Sequence, residues 1–401
     1  MRMKKIMILA VAAIALAACS KTFDNVEIPQ SPIDFGTWTN TLTKAYDGTW
    51  ANNDAFSVFG IKTVGEAPAP VFQDVKVTYS SESAKWSYNN PQFWDLTASN
   101  YTFYAFLPFV DNTEDGHNDL LYSNGNYQGD PLSGRFSVSE VTFSSPATNA
   151  QDILIASKYS RDKGASSMPT GVVALEFNHI TSLIDIKAKV DDAFAASIVA
   201  ENQQAVITVT DVKLASIRDK GTCSVAQYNA ESNKPQLNDI YGWAPTMEQN
   251  AEHTTDYIVV KSGESPVGEA VVVDSRTTYT GVNATSTTPA ANSLVSSYIL
   301  MPQNLNHETG EQQLVISYTV EVKTTGENPE IVSSATFTDK TVPFKAFVNN
   351  ADKTNNDGTA ITAWEPGKHY TYFVTISAKT IEFSASVNPW TEVLGYNYLI
   401  N

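Results

Sequence analysis

Apolar and polar positions alternate with a period of two through most of this chain. Leu314, Ile316, Tyr318, Val320 and Val322 fall on one side, with Ser317, Thr319, Glu321 and Lys323 on the other, which predicts a half-buried strand. Tyr370, Tyr372, Val374 and Ile376 form a second such face, and Ile381, Phe383, Ala385 and Val387 a third. With Ala378-Lys379-Thr380 as a tight connection, these two predict a hairpin. Val75, Val77 and Tyr79 make a shorter strand. Tyr101 to Leu107 is apolar on both faces, as a central buried strand would be.

The segment 172–190 changes phase. Val173, Leu175 and Phe177 set an odd-numbered apolar face, whereas Ile184, Ile186, Ala188 and Val190 set an even-numbered one, so a bend or bulge near 179–182 has to absorb the slip. A Gly, Ser and Pro loop at 162–171 precedes it and places a domain boundary close to residue 170. Helical pattern is nearly absent, apart from a few turns at 191–200. Stretches 282–293 and 349–360 read as polar loops, and 222–256 as a long insertion without a clear period. Many short strands in two blocks imply two β-sandwiches.

The N-terminus breaks the pattern. Arg2, Lys4 and Lys5 precede an apolar run from Ile6 to Leu16, followed by Ala17 and Ala18 directly before Cys19. That layout is a secretory signal too short to span a bilayer. Leu16-Ala17-Ala18-Cys19 also resembles the bacterial lipobox, which implies lipidation of Cys19 and removal of residues 1–18. A polar lead at 19–32 then serves as a tether. Under this reading Cys223, the other of two cysteines, has no partner within the molecule, and stability comes from buried core.

The formal charge is −17; loss of three basic and no acidic residues with the signal takes it to −20. So acidic a surface repels nucleic acid and anionic membrane faces. A low share of charged residues, 17%, with many aromatics, 11%, suits an extracellular all-β protein.

Several segments in order resemble the Bacteroidales fimbrillin family, the FimA-like and Mfa-like pilus subunits. In the N-terminal half these are Phe56-Ser57-Val58-Phe59-Gly60, Val71-Phe72, Trp86-Ser87-Tyr88, Phe93-Trp94 and Tyr101 to Pro108. Asp152 to Ala156 and Leu175-Glu176-Phe177-Asn178-His179 are similar to the family's middle region. Tyr298 to Gln303, Pro366-Gly367-Lys368-His369-Tyr370 and Val387-Asn388-Pro389-Trp390 are similar to its ending. The resemblance implies an all-β fold of two tandem Greek-key, transthyretin-like β-sandwich domains, here 33–170 and 171–401. It also implies a structural and adhesive subunit, made as an outer-membrane lipoprotein and incorporated into a fimbrium.

Assembly by strand exchange is part of the same implication. A trypsin-like protease removes the lipidated segment with a first strand, and the vacated groove takes a strand from another subunit. Leu394, Tyr396, Tyr398 and Ile400 share one face of the C-terminal tail and are the candidate donor strand; the alternative is a last strand of its own domain. The maturation site of the family is usually an arginine, and none lies between Cys19 and Arg135. Lys44 and Ala45 occupy the corresponding place, downstream of Ile33 and Phe35. Lysine does not serve an arginine-specific protease, so either a broader protease cuts there or the protein keeps its lipid as an anchor or tip subunit.

Other chemistry is poorly represented. Five histidines at 117, 179, 253, 307 and 369 show no metal-ligand spacing, and His179 at a strand end reads as a hydrogen-bonded structural residue. A calcium-like run at 111–119 has Tyr122 where a bidentate glutamate belongs. Cys223 reads as lying in a polar loop with no histidine partner, and neither a nucleophile elbow nor a phosphate loop is present. No catalytic residue, metal or cofactor is called for. Trp86, Trp94, Trp364 and Trp390 read as packed. Trp38, Trp50 and Trp243 fall in less regular segments, which leaves a non-polymerising, glycan-binding surface lipoprotein as the alternative function. The partners expected are other fimbrial subunits, membrane lipid through Cys19, and surface ligands of host or bacterial origin.

Overall fold

The computed structural model describes residues 31–39, 50–109, 136–143, 152–156, 159–162, 171–199, 201–225, 241–245, 247–248, 251–261, 271–274, 293–305, 312–346, 361–376 and 381–389. Strands, numbered in chain order, dominate them. The largest sheet runs in the order β1 (Phe35–Thr39), β9 (Val173–His179), β7 (Leu154–Ala156), β5 (Ala98–Leu107), β2 (Ala55–Val64), β3 (Ala67–Ser80) and β4 (Lys85–Ser87), with β8 (Tyr159–Asp162) also on β5. The C-terminal half holds two more sheets. One is β18 (Ser293–Leu300), β10 (Ser182–Val190), β23 (Lys368–Ile376) and β24 (Ile381–Pro389). The other is β16 (Thr254–Lys261), β11 (Gln203–Arg218), β20 (Gln313–Thr324) and β21 (Ile331–Pro343), with β17 (Val271–Asp274) also on β11. Among the described residues there are also three small sheets: β13 (Tyr241–Pro245), β12 (Lys220–Val225) and β6 (Phe136–Thr142); β14 (Met247–Glu248) with β15 (Ala251–Glu252); and β19 (Gln303–Asn304) with β22 (Ala363–Trp364).

The periodic faces account for the packing. Leu314, Ile316, Tyr318, Val320 and Val322 are buried, and so are Tyr370, Tyr372, Val374 and Ile376. Both sets join one apolar cluster with Ile184, Ile186 and Ile207, which places the four- and five-stranded sheets face to face. β23 and β24 pair as the expected hairpin, with Tyr370 opposite Val387 and Val374 opposite Phe383. A helix, α1 (Asp192–Val199), stands where a few turns were expected; the Asp191 carboxylate accepts the Phe194 amide at 2.7 Å and caps it.

Two expectations are corrected. The phase change at 179–182 is no bulge within one strand, because β9 pairs with β1 and β7 in the large sheet whereas β10 pairs with β18 and β23. The chain switches sheets at Ile180–Thr181, beyond the loop that suggested a boundary near 170. The corner is held by polar contacts: His179 Nδ1 meets Asp152 Oδ2, Thr181 Oγ1 donates to Asp152 Oδ1 at 2.6 Å, and Ser182 Oγ donates to the Glu365 carbonyl at 2.8 Å. His179 is thus the hydrogen-bonded structural residue expected of it.

The second correction concerns 222–256, which is not a structureless insertion. β12 and β13 pair there, and β12 also pairs with β6 from the N-terminal half. Cys223 lies in β12 as a free and fully buried thiol, its pKa driven upward by burial, rather than in a polar loop. It packs in a cluster with Phe59 and Phe106 from the N-terminal half and Ile299 and Met301 from the C-terminal half.

Candidate functional site: the first strand and its groove

β1 is only five residues long, yet it closes the large sheet. The pairing path begins at β1 and ends at β4, and hydrogen bonds join the β1 segment to the β4 end as well. Along one edge it runs parallel to β9, with Phe35 opposite Val173 and Thr39 opposite Phe177, and the Val173 amide donates to the Asp34 carbonyl at 2.8 Å. Along the other edge it meets the segment after β4. The Ile33 amide donates to the Gln92 carbonyl at 2.8 Å, and the Trp94 amide donates to the Ser31 carbonyl at 3.1 Å. The Tyr88 hydroxyl donates to the Ile33 carbonyl at 2.8 Å, and Trp86 Nε1 donates to Thr37 Oγ1 at 3.0 Å.

Side chains fix the strand as firmly as the backbone does. Ile33 and Phe35 are buried and belong to the core of the large sheet. The Phe35 ring is surrounded edge-on by Phe72 at 5.4 Å, Tyr88 at 5.7 Å, Phe103 at 6.0 Å and Phe56 at 6.1 Å between centroids. Gly60 in β2 makes room for this cage, since a Cβ there would lie 2.7 Å from Phe72 and 3.1 Å from Phe103. Burying an Ile and a Phe contributes about 1.5–3 kcal/mol each.

The segment 86–94 thus clamps β1, and burial and hydrogen bonding set the electrostatics beside it. Burial raises the pKa of the Tyr88 hydroxyl, its hydrogen bond with Gln92 opposes this, and the charge of Asp34 adds to it. Asp95 follows the clamp segment. Hydrogen bonds from Lys62, at 2.7 Å, and from Thr97 hold its carboxyl down at about 2, while its amide donates to the Tyr101 hydroxyl at 2.6 Å. Among the described residues no three of His, Cys, Asp and Glu group as a metal site would require. Backbone edges beside two apolar pockets can bind an extended peptide strand.

Of the residues singled out from sequence, Ile33 and Phe35 stand at the centre of this site. Cys19, Lys44, Ala45, Leu394, Tyr396, Tyr398 and Ile400 lie outside the described residues, as do the calcium-like run and Trp390. Trp94 and Trp364 are buried. Trp86 is half-buried, and Trp50, one of the residues behind the glycan-binding alternative, is also half-buried and packs edge-on against it at 4.9 Å. Trp38 lies in β1 and Trp243 in β13. Sequence reasoning did not foresee that Trp86 and Tyr88 grip the first strand. Their alternation around Ser87 was the available signal.

A family model described as fimbrillin-like matches residues 43–390. The chain is similar to the fimbrium subunit Fim1C of Phocaeicola vulgatus, 23% identical over 202 residues, which are 47% of this chain and 52% of that protein. The alignment thus spans about half the length of that curated relative. The fold is similar to the crystal structure of a fimbrial protein from Bacteroides vulgatus, with a TM-score of 0.51 and 17% identity, covering 90% of this chain and 99% of that one. No described helix is long and apolar enough to cross a membrane. With the family model matched over 43–390, most of its length, the chain belongs to the fimbrillin-like family.

Proposed function

We propose that this chain is a structural and adhesive fimbrial subunit of the bacterial surface, and that β1 is a temporary occupant of its groove. The observation that carries the reading is the plugged seam. β1 is short and is the first strand among the described residues, held by two side-chain pockets and two backbone edges, and it is joined to the rest of the chain through the segment 40–49 that contains Lys44 and Ala45. Cleavage after Lys44 would free Cys19, with its lipid, together with β1. The open edge of β9 and the pockets of Ile33 and Phe35 would then accept a strand from another subunit, with the face of Leu394, Tyr396, Tyr398 and Ile400 as the donor. The chain is proposed to divide into two tandem Greek-key sandwiches, with the division placed at the sheet switch, Ile180–Thr181, instead of near 170.

The absence of arginine between Cys19 and Arg135 favours a second reading, an anchor or tip subunit that keeps its lipid in the outer membrane. The N-terminal residue of the protein on intact cells separates the two. Ala45 supports a matured subunit, which should run as heat-sensitive ladders; lipidated Cys19 supports the anchor or tip. A protein that stays monomeric after the cut, with 394–401 dispensable, overturns strand exchange.

A further inference from the structure

β21 is the opposite of β1. It runs for 13 residues and, among the described residues, pairs with β20 alone. From Ile331 to Thr341 every residue is exposed except Phe337, which is half-buried. Across the ladder its neighbours Val320 and Val322 lie in the core. Among the described residues β21 is therefore a ledge, exposed along this run except where Phe337 packs on the core, with one backbone edge unpaired. Ile331 and Val332 are 57% and 52% exposed. The run Ile331 to Thr338 holds no charge and no proline and is rich in strand-forming residues.

Natural sheets blunt such edges with charges and bulges. In β21 these devices sit only at the ends, and symmetrically. One bulge lies between Ile331 and Ser333; the other lies between Phe337 and Lys340, where Asp339 takes a φ of 47°. Glu330 precedes the first and Lys340 follows the second, both exposed. The midpoint of the charge pair is Ala335, and the two bulges flank it on either side. A strand that meets its own copy antiparallel across a two-fold axis through Ala335 brings each end of one strand to the opposite end of the other, so a bulged segment faces a bulged segment and Glu330 faces the oppositely charged Lys340.

We propose that β21 docks antiparallel on β21 of a second copy of this chain, with Ala335 facing Ala335. Ser333 then lies opposite Phe337 of the second copy, and Glu330 at each end lies beside the oppositely charged Lys340 of the other chain. Ser333, Ser334, Ala335 and Thr336 are small enough for two edges to approach. The regular stretch is short, and one strand pair falls well below the roughly 1,200 Å² of a stable interface. The net charge of −17 also opposes association. Free subunits therefore pair weakly, while subunits already aligned in an assembly pair through high effective concentration. The inference stands whether or not β1 is ever exchanged.

Cysteine cross-linking on the full chain carrying Cys19→Ser tests it, because the buried Cys223 is silent. Ala335→Cys should form a disulfide dimer on mild oxidation, since facing Cα atoms lie about 4.5–5.5 Å apart. Ser333→Cys should not, because four residues separate it from its own copy by roughly 13 Å. A mixture of Ser333→Cys and Phe337→Cys should cross-link. Adding Glu330→Lys to Ala335→Cys should lower the dimer yield severalfold, and adding Lys340→Glu to that variant should restore it. Equal yields at 333 and 335, or no dimer at 335 at any salt concentration, overturn the proposal.

Discussion

Two strands at sheet margins, β1 and β21, have similar backbone chemistry and opposite surroundings. β1 has five residues, and its Phe35 is enclosed by four aromatic rings. β21 has 13 residues, and its Phe337 has one ring beneath it, Tyr318 at 4.8 Å and nearly parallel, with Lys340 Nζ 5.8 Å from its centroid. Burial pushes the Tyr318 hydroxyl up to about 12. The length of a strand is therefore a poor guide to how tightly it is held. What lies over its side chains decides, so the short strand is anchored and the long one is free to pair.

The widest break between the two is expected from the paired truncations Phe35→Ala and Phe337→Ala. The first empties a closed cage and should cost about 3–5 kcal/mol in denaturant unfolding of the full chain. The second removes a half-exposed stack and should cost about 0.5–1.5 kcal/mol. Equal losses would abolish the distinction. Next comes Gly60→Ala, whose methyl group would press on Phe72 and Phe103 behind Phe35. Overpacking there should cost about 1–3 kcal/mol. The double variant with Phe35→Ala should cost less than the sum, because the vacated space lets the two rings shift.

This contrast was only partly legible in the sequence. The faces of β20 and β23 could be read because Leu314 to Val322 and Tyr370 to Ile376 alternate over long runs. Ile33 and Phe35 entered only as landmarks upstream of Lys44, through the family resemblance. Sheet membership could not be read: Val173 to Phe177 and Ile184 to Val190 differ in phase, and periodicity does not say whether a phase change is a bulge or a passage between sheets. β12 and β13 escaped notice because their pairing is tertiary. Cys223 sits between Trp243 and Val138 on strands distant in sequence, and Gly221, Thr222 and Ser224 dilute the local pattern. The exposure of β21 was invisible for a related reason. Nothing in Ile331-Val332-Ser333-Ser334 says that these side chains stay exposed.

A smaller effect sharpens the β1 side through pH. The Asp95 carboxyl, held at about 2 against an ordinary 3.8, binds protons less readily in the folded chain than in the unfolded one. Its contribution is therefore present above about pH 4 and is lost as pH falls through about 2. The Lys62–Asp95 pair is partly exposed, so the contribution is below about 1 kcal/mol. Asp95→Asn should remove that contribution at neutral pH and flatten the acid limb of the stability curve by the same small amount. An unaltered acid limb would show that Asp95 does not help to hold the clamp.

The smallest effect is expected on β21, and its smallness is the point. Ile331 and Val332 are large apolar residues that pack on little within the chain, so replacing both with threonine keeps strand propensity and removes almost no buried area. The unfolding midpoint in denaturant should correspond to a change within about 0.5 kcal/mol. A loss of 2 kcal/mol or more would mean that the ledge is covered within its own chain, and β21 would then be a buried edge like β1. If stability holds while Ala335→Cys cross-linking falls, the two residues act between chains, and the contrast between a plugged strand and a bare one becomes a difference in partner.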